Sequence, residues 1–137
     1  MHLLLIEDNS TLANLFRAQL RRLKDHSLTV ASNKGEALNA FQSEVFDLVF
    51  IDMALEGIPY RGLEILEEIK AQSPSLRVGI LSSNDSPDTV RASRDGGAEF
   101  YMVKPFTFRG LQIVLGGNHE ELASYRPDIS EGPIIAL

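Results

Sequence analysis

The chain has 137 residues, of which 44% are hydrophobic and 23% are charged, a balance typical of one folded domain. It contains no cysteine, which excludes a disulfide framework and a zinc site built on cysteine. The formal net charge of −6 at pH 7 opposes non-specific binding to nucleic acid, because such binding depends on Lys and Arg side chains. No apolar run approaches the roughly 20 residues that span a bilayer, and the apolar start is too short for a signal peptide. We therefore expect a cytoplasmic protein without nucleic-acid or membrane partners.

Short apolar runs alternate with segments of helical period through the first 115 residues. The apolar runs predict five β-strands, at residues 2–6, 28–31, 48–51, 78–81 and 100–103. Apolar residues at helical spacing predict helices with inner faces at Leu12, Leu15, Phe16, Leu20 and Leu23, at Ala37, Leu38 and Phe41, at Ile65, Leu66 and Ile69, and at Phe108, Leu111 and Leu115. Signals for helix ends are Asn9 or Ser10, Asn33 with Glu36, Ser86 with Pro87, and Gly96 with Gly97.

These elements form a strand–helix unit that is repeated five times. Such alternation predicts an α/β fold in which helices cover both faces of a parallel sheet. Right-handed crossovers limit the topology to a few doubly wound strand orders. In such sheets a binding site forms at the carboxyl ends of the strands. The residues that directly follow each strand are therefore the candidates for a functional site.

Charged and hydroxyl side chains follow four of the five predicted strands. Glu7 and Asp8 follow the first, Asp52 the third, Ser82 the fourth and Lys104 the fifth. Three carboxylates at one edge repel one another and titrate as a coupled set. A bound Mg²⁺ ion, which prefers oxygen ligands, relieves that repulsion. A carboxylate beside Mg²⁺ and a lysine is suited to attack a phosphoryl group and become an aspartyl phosphate.

At these residues the sequence resembles the receiver domain of two-component response regulators, of the type found in chemotaxis regulators. The matching segments are LLLIEDN, LVFID, ILSS and GGAEFYMVKPF, in order along residues 1–115. The resemblance implies a flavodoxin-like (βα)5 fold with strand order 2-1-3-4-5. It predicts a receiver domain over residues 1–117 and a short non-regular tail or linker over 118–137, with no output domain.

The resemblance also implies a role for each residue of the acidic cluster. Asp52 stands at the phosphoacceptor position. Asp8 stands at the position of a direct Mg²⁺ ligand, and Glu7 at that of an acid acting mainly through metal-bound water. The backbone carbonyl of Ala54 stands at the position of the remaining protein ligand.

Four further residues match the family's motifs, and two of them, Ser82 and Tyr101, stand at its switch positions. Lys104 matches the lysine that pairs with the phosphoryl group, and its bond to Pro105 is expected to be cis. Ser82 replaces the family's threonine and keeps the switch hydroxyl. Tyr101 stands at the switch aromatic, which turns inward when the hydroxyl moves toward the phosphoryl group.

The function implied by the resemblance is a phosphorylation-activated signalling switch. The phosphoryl group would come from a histidine kinase or a histidine phosphotransfer protein, in a Mg²⁺-dependent, self-catalysed reaction with later autodephosphorylation. Such a protein is not an enzyme acting on a separate substrate. Its output would be binding to a downstream protein, with a homodimer as one possibility. Two alternatives stay open: a degenerate receiver that binds partners constitutively, and a receiver cut from a larger hybrid kinase or regulator.

Two segments depart from the family. The loop after Asp52 is about two residues longer than usual, and the extra stretch at residues 58–61 is either a tolerated insertion or a modifier of partner access and phosphate lifetime. Gly110, Gly116 and Gly117 weaken the last predicted helix of the domain. The remainder at residues 118–137 is a frayed tail, or a segment whose apolar end at 134–137 docks on its own domain or a partner, or the start of a linker.

Overall fold

A six-stranded sheet organises the computed structural model, which describes residues 1–125 and 134–137. The strands are β1 (His2–Ile6), β2 (Ser27–Ala31), β3 (Leu48–Asp52), β4 (Arg77–Ser82), β5 (Phe100–Val103) and β6 (Ile134–Ala136). The helices are α1 (Ser10–Arg21), α2 (Lys34–Ser43), α3 (Arg61–Gln72), α4 (Pro87–Asp95), α5 (Phe108–Gly116) and α6 (His119–Ser124), with one 3-10 turn at Leu55–Gly57. Within the described residues, no helix is both long and apolar enough to cross a membrane.

The strand order is β2-β1-β3-β4-β5-β6, with β1 to β5 parallel and β6 antiparallel to β5. The predicted doubly wound order 2-1-3-4-5 is therefore confirmed. The register aligns the strand ends that carry the candidate site: Ile6 pairs with Ile51, and Asp52 pairs with Leu81. Residues that follow β1, β3, β4 and β5 consequently meet at one edge of the sheet.

Both faces of the sheet are buried, which explains the nearly continuous apolar runs of its strands. Successive side chains of a strand point to opposite faces. Leu3 and Leu5 of β1 thus join the core that includes Phe16 of α1, whereas Leu4 and Ile6 join the core on the other face. All five residues of β3 are buried, so this strand lies at the centre of the fold.

The predicted helix starts are confirmed by side-chain caps. Asn9 accepts a hydrogen bond from the amide of Leu12 (3.0 Å), and Asn33 accepts one from the amide of Glu36 (2.9 Å). Leu15, predicted on the inner face of α1, is instead 43% exposed. The helix turns about 100° per residue, which rotates Leu15 away from the buried Phe16.

The C-terminal segment is more regular than the predicted tail. It contains α6, and β6 pairs with β5 so that Ile135 lies opposite Tyr101, while the Leu137 amide donates to the Glu99 carbonyl (3.0 Å). The cause is the unpaired edge of β5, which an extended apolar segment can satisfy. Part of the predicted tail, residues 126–133, lies outside the described residues. The domain boundary at residue 117 stays a prediction.

A glycine of α5 has a packing role in this arrangement. A Cβ atom at Gly110 would lie 2.9 Å from Ile134 Cδ1, and Ile134 is buried against α5. The glycine therefore provides the space into which β6 inserts its first side chain. Gly117 ends α5 in a left-handed conformation (φ 69°), which glycine adopts without strain.

Candidate functional site

Three carboxylates meet where β1 and β3 end. One oxygen from each of Glu7, Asp8 and Asp52 lies within 4.8 Å of the others. Glu7 and Asp52 are buried, whereas Asp8 is exposed and accepts a hydrogen bond from the Glu56 amide (3.1 Å). The sequence predicted this cluster because the acids follow two strands of a parallel sheet, in which the site forms at the carboxyl ends of the strands.

Lys104 enters the cluster from the end of β5. Its Nζ atom donates to Glu7 Oε1 at 2.9 Å and to Asp52 Oδ1 at 3.3 Å. Its backbone amide donates to the Ser82 carbonyl (2.7 Å), and the Lys104–Pro105 peptide bond is cis. The lysine therefore places a positive charge directly beside Asp52.

The protonation of Glu7 is strongly perturbed. Burial is the main cause that raises the pKa of Glu7 from its ordinary value of 4.5 to about 7, the side chain of Asp52 adds to the rise, and Lys104 opposes it. Glu7 Oε2 is buried and has no hydrogen-bond partner among the described residues. An uncompensated buried carboxylate oxygen is a costly arrangement that a bound cation would relieve.

The donor set fits a hard divalent cation. Three carboxylates, one of them exposed to solvent, match the oxygen ligands and retained waters of Mg²⁺. The carbonyl of Ala54, the fourth predicted ligand, accepts a hydrogen bond from the Gly57 amide (3.0 Å). A carbonyl oxygen has two lone pairs, so this bond leaves one for a further partner.

A cavity of about 250 Å³ adjoins Asp52 on one side. One wall is polar and comes from β4 and the start of α4, at Ser82, Ser83, Asn84 and Thr89. The other wall is largely apolar and comes from the loop after β3, at Met53, Ala54, Pro59 and Tyr60. Pro59 and Tyr60 belong to the extra stretch at residues 58–61. From the sequence, the extra length of the loop indicated that this stretch lies beside the site, but nothing identified Tyr60 as a residue that lines the cavity.

A chain of hydrogen bonds links Ser82 to Tyr101. The buried Ser82 hydroxyl accepts from the Asn84 amide (3.3 Å), and the Tyr101 hydroxyl donates to the Asn84 carbonyl (2.7 Å). The Tyr101 hydroxyl also lies 3.2 Å from that of Thr89. Tyr101 is fully buried, and it contacts the loop after β4 rather than the acidic cluster.

Comparison with known proteins places this site in a family. Residues 3–115 match the response regulator receiver domain, so the chain belongs to the family of response regulator receiver domains. The predicted family is thereby confirmed. Receiver domains are phosphoacceptor switches rather than conventional enzymes; they typically bind Mg²⁺ and interact with histidine kinases or phosphotransfer proteins.

The relatives in sequence are longer than this chain. It is 33% identical over 132 residues to the transcriptional regulatory protein ZraR of Klebsiella oxytoca, covering 96% of this chain and 28% of that protein. It is 28% identical over 116 residues to the transcriptional regulatory protein MalR of Bacillus subtilis (strain 168), covering 84% of this chain and 48% of that protein. Because these relatives are transcriptional regulators, the absence of a nucleic-acid partner stays a prediction.

Solved structures of receiver domains share the fold. A response regulator of Burkholderia pseudomallei, solved with a phosphorylated aspartic acid, a calcium ion and citrate, superposes with a TM-score of 0.78 at 26% identity, covering 90% of this chain and 71% of that chain. A CheY-like receiver domain of Methanospirillum hungatei JF-1 superposes with a TM-score of 0.77 at 22% identity, covering 85% of this chain and 90% of that chain.

Proposed function

We propose that this domain is a phosphorylation-activated switch in which Asp52 accepts a phosphoryl group from a phosphohistidine on a kinase or phosphotransfer protein. The observation that carries the proposal is the position of the Asp52 carboxylate. It is only 7% exposed, it lies 3.3 Å from the Lys104 ammonium group, and it shares its edge of the sheet with two further carboxylates. The response regulator with a phosphorylated aspartic acid described above supports the same chemistry.

In the proposed reaction, a carboxylate oxygen of Asp52 forms a bond to phosphorus. The bond between phosphorus and the imidazole nitrogen breaks, and its electron pair returns to the ring. Lys104 balances the negative charge of the incoming phosphoryl oxygens from its position beside Asp52. Glu7, Asp8, Asp52 and the Ala54 carbonyl would hold the Mg²⁺ ion, which supplies further positive charge at the transferring oxygens.

The hydrogen bonds that link Ser82 to Tyr101 provide a path by which phosphorylation of Asp52 would change a protein-binding surface. We propose that the Ser82 hydroxyl turns to donate to the phosphoryl group on Asp52. That movement breaks its bond with the Asn84 amide and shifts the carbonyl that anchors the Tyr101 hydroxyl. The change thus reaches the surface formed by α4 and β5, where a downstream protein would bind.

Intact mass measurement tests the proposal. The protein is incubated with acetyl phosphate and Mg²⁺, and we expect one added phosphoryl group that is absent with a chelator and absent in Asp52→Asn. Asp47→Asn is the matched control, because Asp47 lies just before β3 and accepts from the His2 amide (2.7 Å) at the opposite end of the sheet. An adduct that persists in Asp52→Asn would contradict the assignment. Failure of the unmodified protein to bind beryllofluoride would favour a degenerate, constitutive binding domain.

A further inference from the structure

The loop between β3 and α3 brings an aromatic side chain to the cavity beside Asp52. We propose that Tyr60, together with Pro59, forms the surface on which the imidazole ring of the phosphohistidine donor stacks. This makes Tyr60 a residue that determines donor specificity. The inference rests on the proposed function, since it concerns the donor of the same phosphoryl group.

The loop that carries Tyr60 is held in place by a series of backbone hydrogen bonds. The amides of Gly57, Ile58, Arg61 and Leu63 donate to the carbonyls of Ala54, Leu55, Ile58 and Tyr60, at distances of 3.0 to 3.2 Å. The Arg61 guanidinium also lies 3.3 Å from the Glu64 carboxylate. The loop is therefore a structured feature of the fold, and the backbone of Tyr60 is held at the start of α3.

The loop is anchored on the backbone of the phosphoacceptor itself. The Gly62 amide donates to the Met53 carbonyl (2.9 Å), and a Cβ atom at Gly62 would lie 2.5 Å from the Asp52 carbonyl oxygen. Tyr60 is two residues before this close contact and adopts a left-handed backbone conformation (φ 63°). A bulky residue seldom adopts that conformation, so the surrounding backbone contacts must hold it there. The backbone of Tyr60 is thus anchored to the end of the strand that carries the reacting carboxylate.

The chemistry of the cavity suits a flat ring that carries a phosphoryl group. Ser82 and Asn84, which line the cavity, can donate to phosphoryl oxygens, and the same cavity is lined by the Pro59 ring and the half-exposed Tyr60 side chain. An imidazole ring stacks on an aromatic face, and a protonated imidazole is attracted to it more strongly. The acetyl group of acetyl phosphate has no ring and carries no positive charge, so Tyr60 offers it no comparable contact.

The proposed step balances without a further reactant. Asp52 forms the new phosphorus–oxygen bond, and the ring nitrogen recovers the electron pair of the broken phosphorus–nitrogen bond. A ring that enters protonated at its second nitrogen leaves as neutral imidazole and keeps that proton. Tyr60 holds the ring during this exchange and takes no part in the proton movement.

Two small donors test the inference on the whole chain. Rate constants for phosphorylation are measured with phosphoimidazole and with acetyl phosphate, in the presence of Mg²⁺. For Tyr60→Ala we expect the ratio of the two rate constants to fall about five-fold, the size of one aromatic stacking contact. Tyr60→Phe should keep the ratio of the unmodified protein. Ile58→Ala should also keep it, because Ile58 is 38% exposed in the same loop but does not line the cavity.

A second variant controls for a change in the loop backbone caused by Tyr60→Ala. Tyr60→Asn removes the ring and favours the left-handed conformation, so it should reproduce the fall in the ratio without backbone strain. An unchanged ratio in both Tyr60→Ala and Tyr60→Asn would overturn the inference, even if both rate constants fall together. Failure of the proposed function would look different, because the unmodified protein would then gain no phosphoryl group from either donor.

Discussion

The raised pKa of Glu7 makes the stability of the metal-free protein depend on pH. An unfolded chain loses the Glu7 proton near pH 4.5, whereas the folded protein keeps it until about pH 7. Between these values the folded state binds more protons than the unfolded state, so the free energy of unfolding falls as pH rises. Each pKa unit corresponds to about 1.4 kcal/mol, so Glu7 alone accounts for a loss of about 3 kcal/mol between pH 4.5 and pH 7.

Urea denaturation with a chelator, at steps from pH 4 to pH 8, measures this effect. We expect the difference in unfolding free energy between the unmodified protein and Glu7→Gln to change by about 3 kcal/mol across that range, in favour of Glu7→Gln at high pH. Since Mg²⁺ binds the ionised carboxylate, its affinity for the unmodified protein should rise with pH across the same range. A difference that stays constant from pH 4 to pH 8 would refute the reasoning.

Two glycines give further predictions. Gly62→Ala should destabilise the fold by about 1–3 kcal/mol and slow phosphorylation, because its Cβ atom would overlap the Asp52 carbonyl oxygen. Chemical denaturation measures the change in the free energy of unfolding. Gly116→Ala is the control and should not lower that free energy, because a Cβ atom at Gly116 meets open space. Gly110→Ala should crowd Ile134 and loosen β6, so hydrogen exchange at residues 134–136 should accelerate. Exchange there at the rate of the unmodified protein would show that β6 does not depend on this contact.

The acidic cluster was predictable from sequence because its geometry follows from the strands. Glu7, Asp52 and Lys104 each stand directly after an apolar run, with Asp8 next to Glu7, and a parallel sheet brings those positions together. That prediction needed only the positions of the strands along the chain and the rule that sites in such sheets form at the carboxyl ends of the strands. The pKa of Glu7 was not accessible in the same way, because it depends on how deeply the side chain is buried.

Tyr60 was not predictable from the same patterns. It lies in a loop, where neither helical nor strand periodicity assigns a direction to a side chain. Its orientation depends on a left-handed backbone conformation and on the contact of Gly62 with the backbone at Asp52. The length of the loop was the only signal in the sequence. It indicated that the loop lies near the site, but it did not identify which residue of the loop lines the cavity.

The pairing of the C-terminal strand β6 with β5 explains a glycine that is unfavourable for the helix in which it lies. Gly110 weakens α5 as an isolated helix, yet it makes room for Ile134. Ile135 then lies opposite Tyr101, so β6 covers the edge of the strand that carries this aromatic residue. A homodimer or a downstream protein that used the edge of β5 would therefore have to displace β6. The pairing of Ile135 with Tyr101 thus places the C-terminal segment beside the hydrogen bonds that lead from Tyr101 back to Ser82.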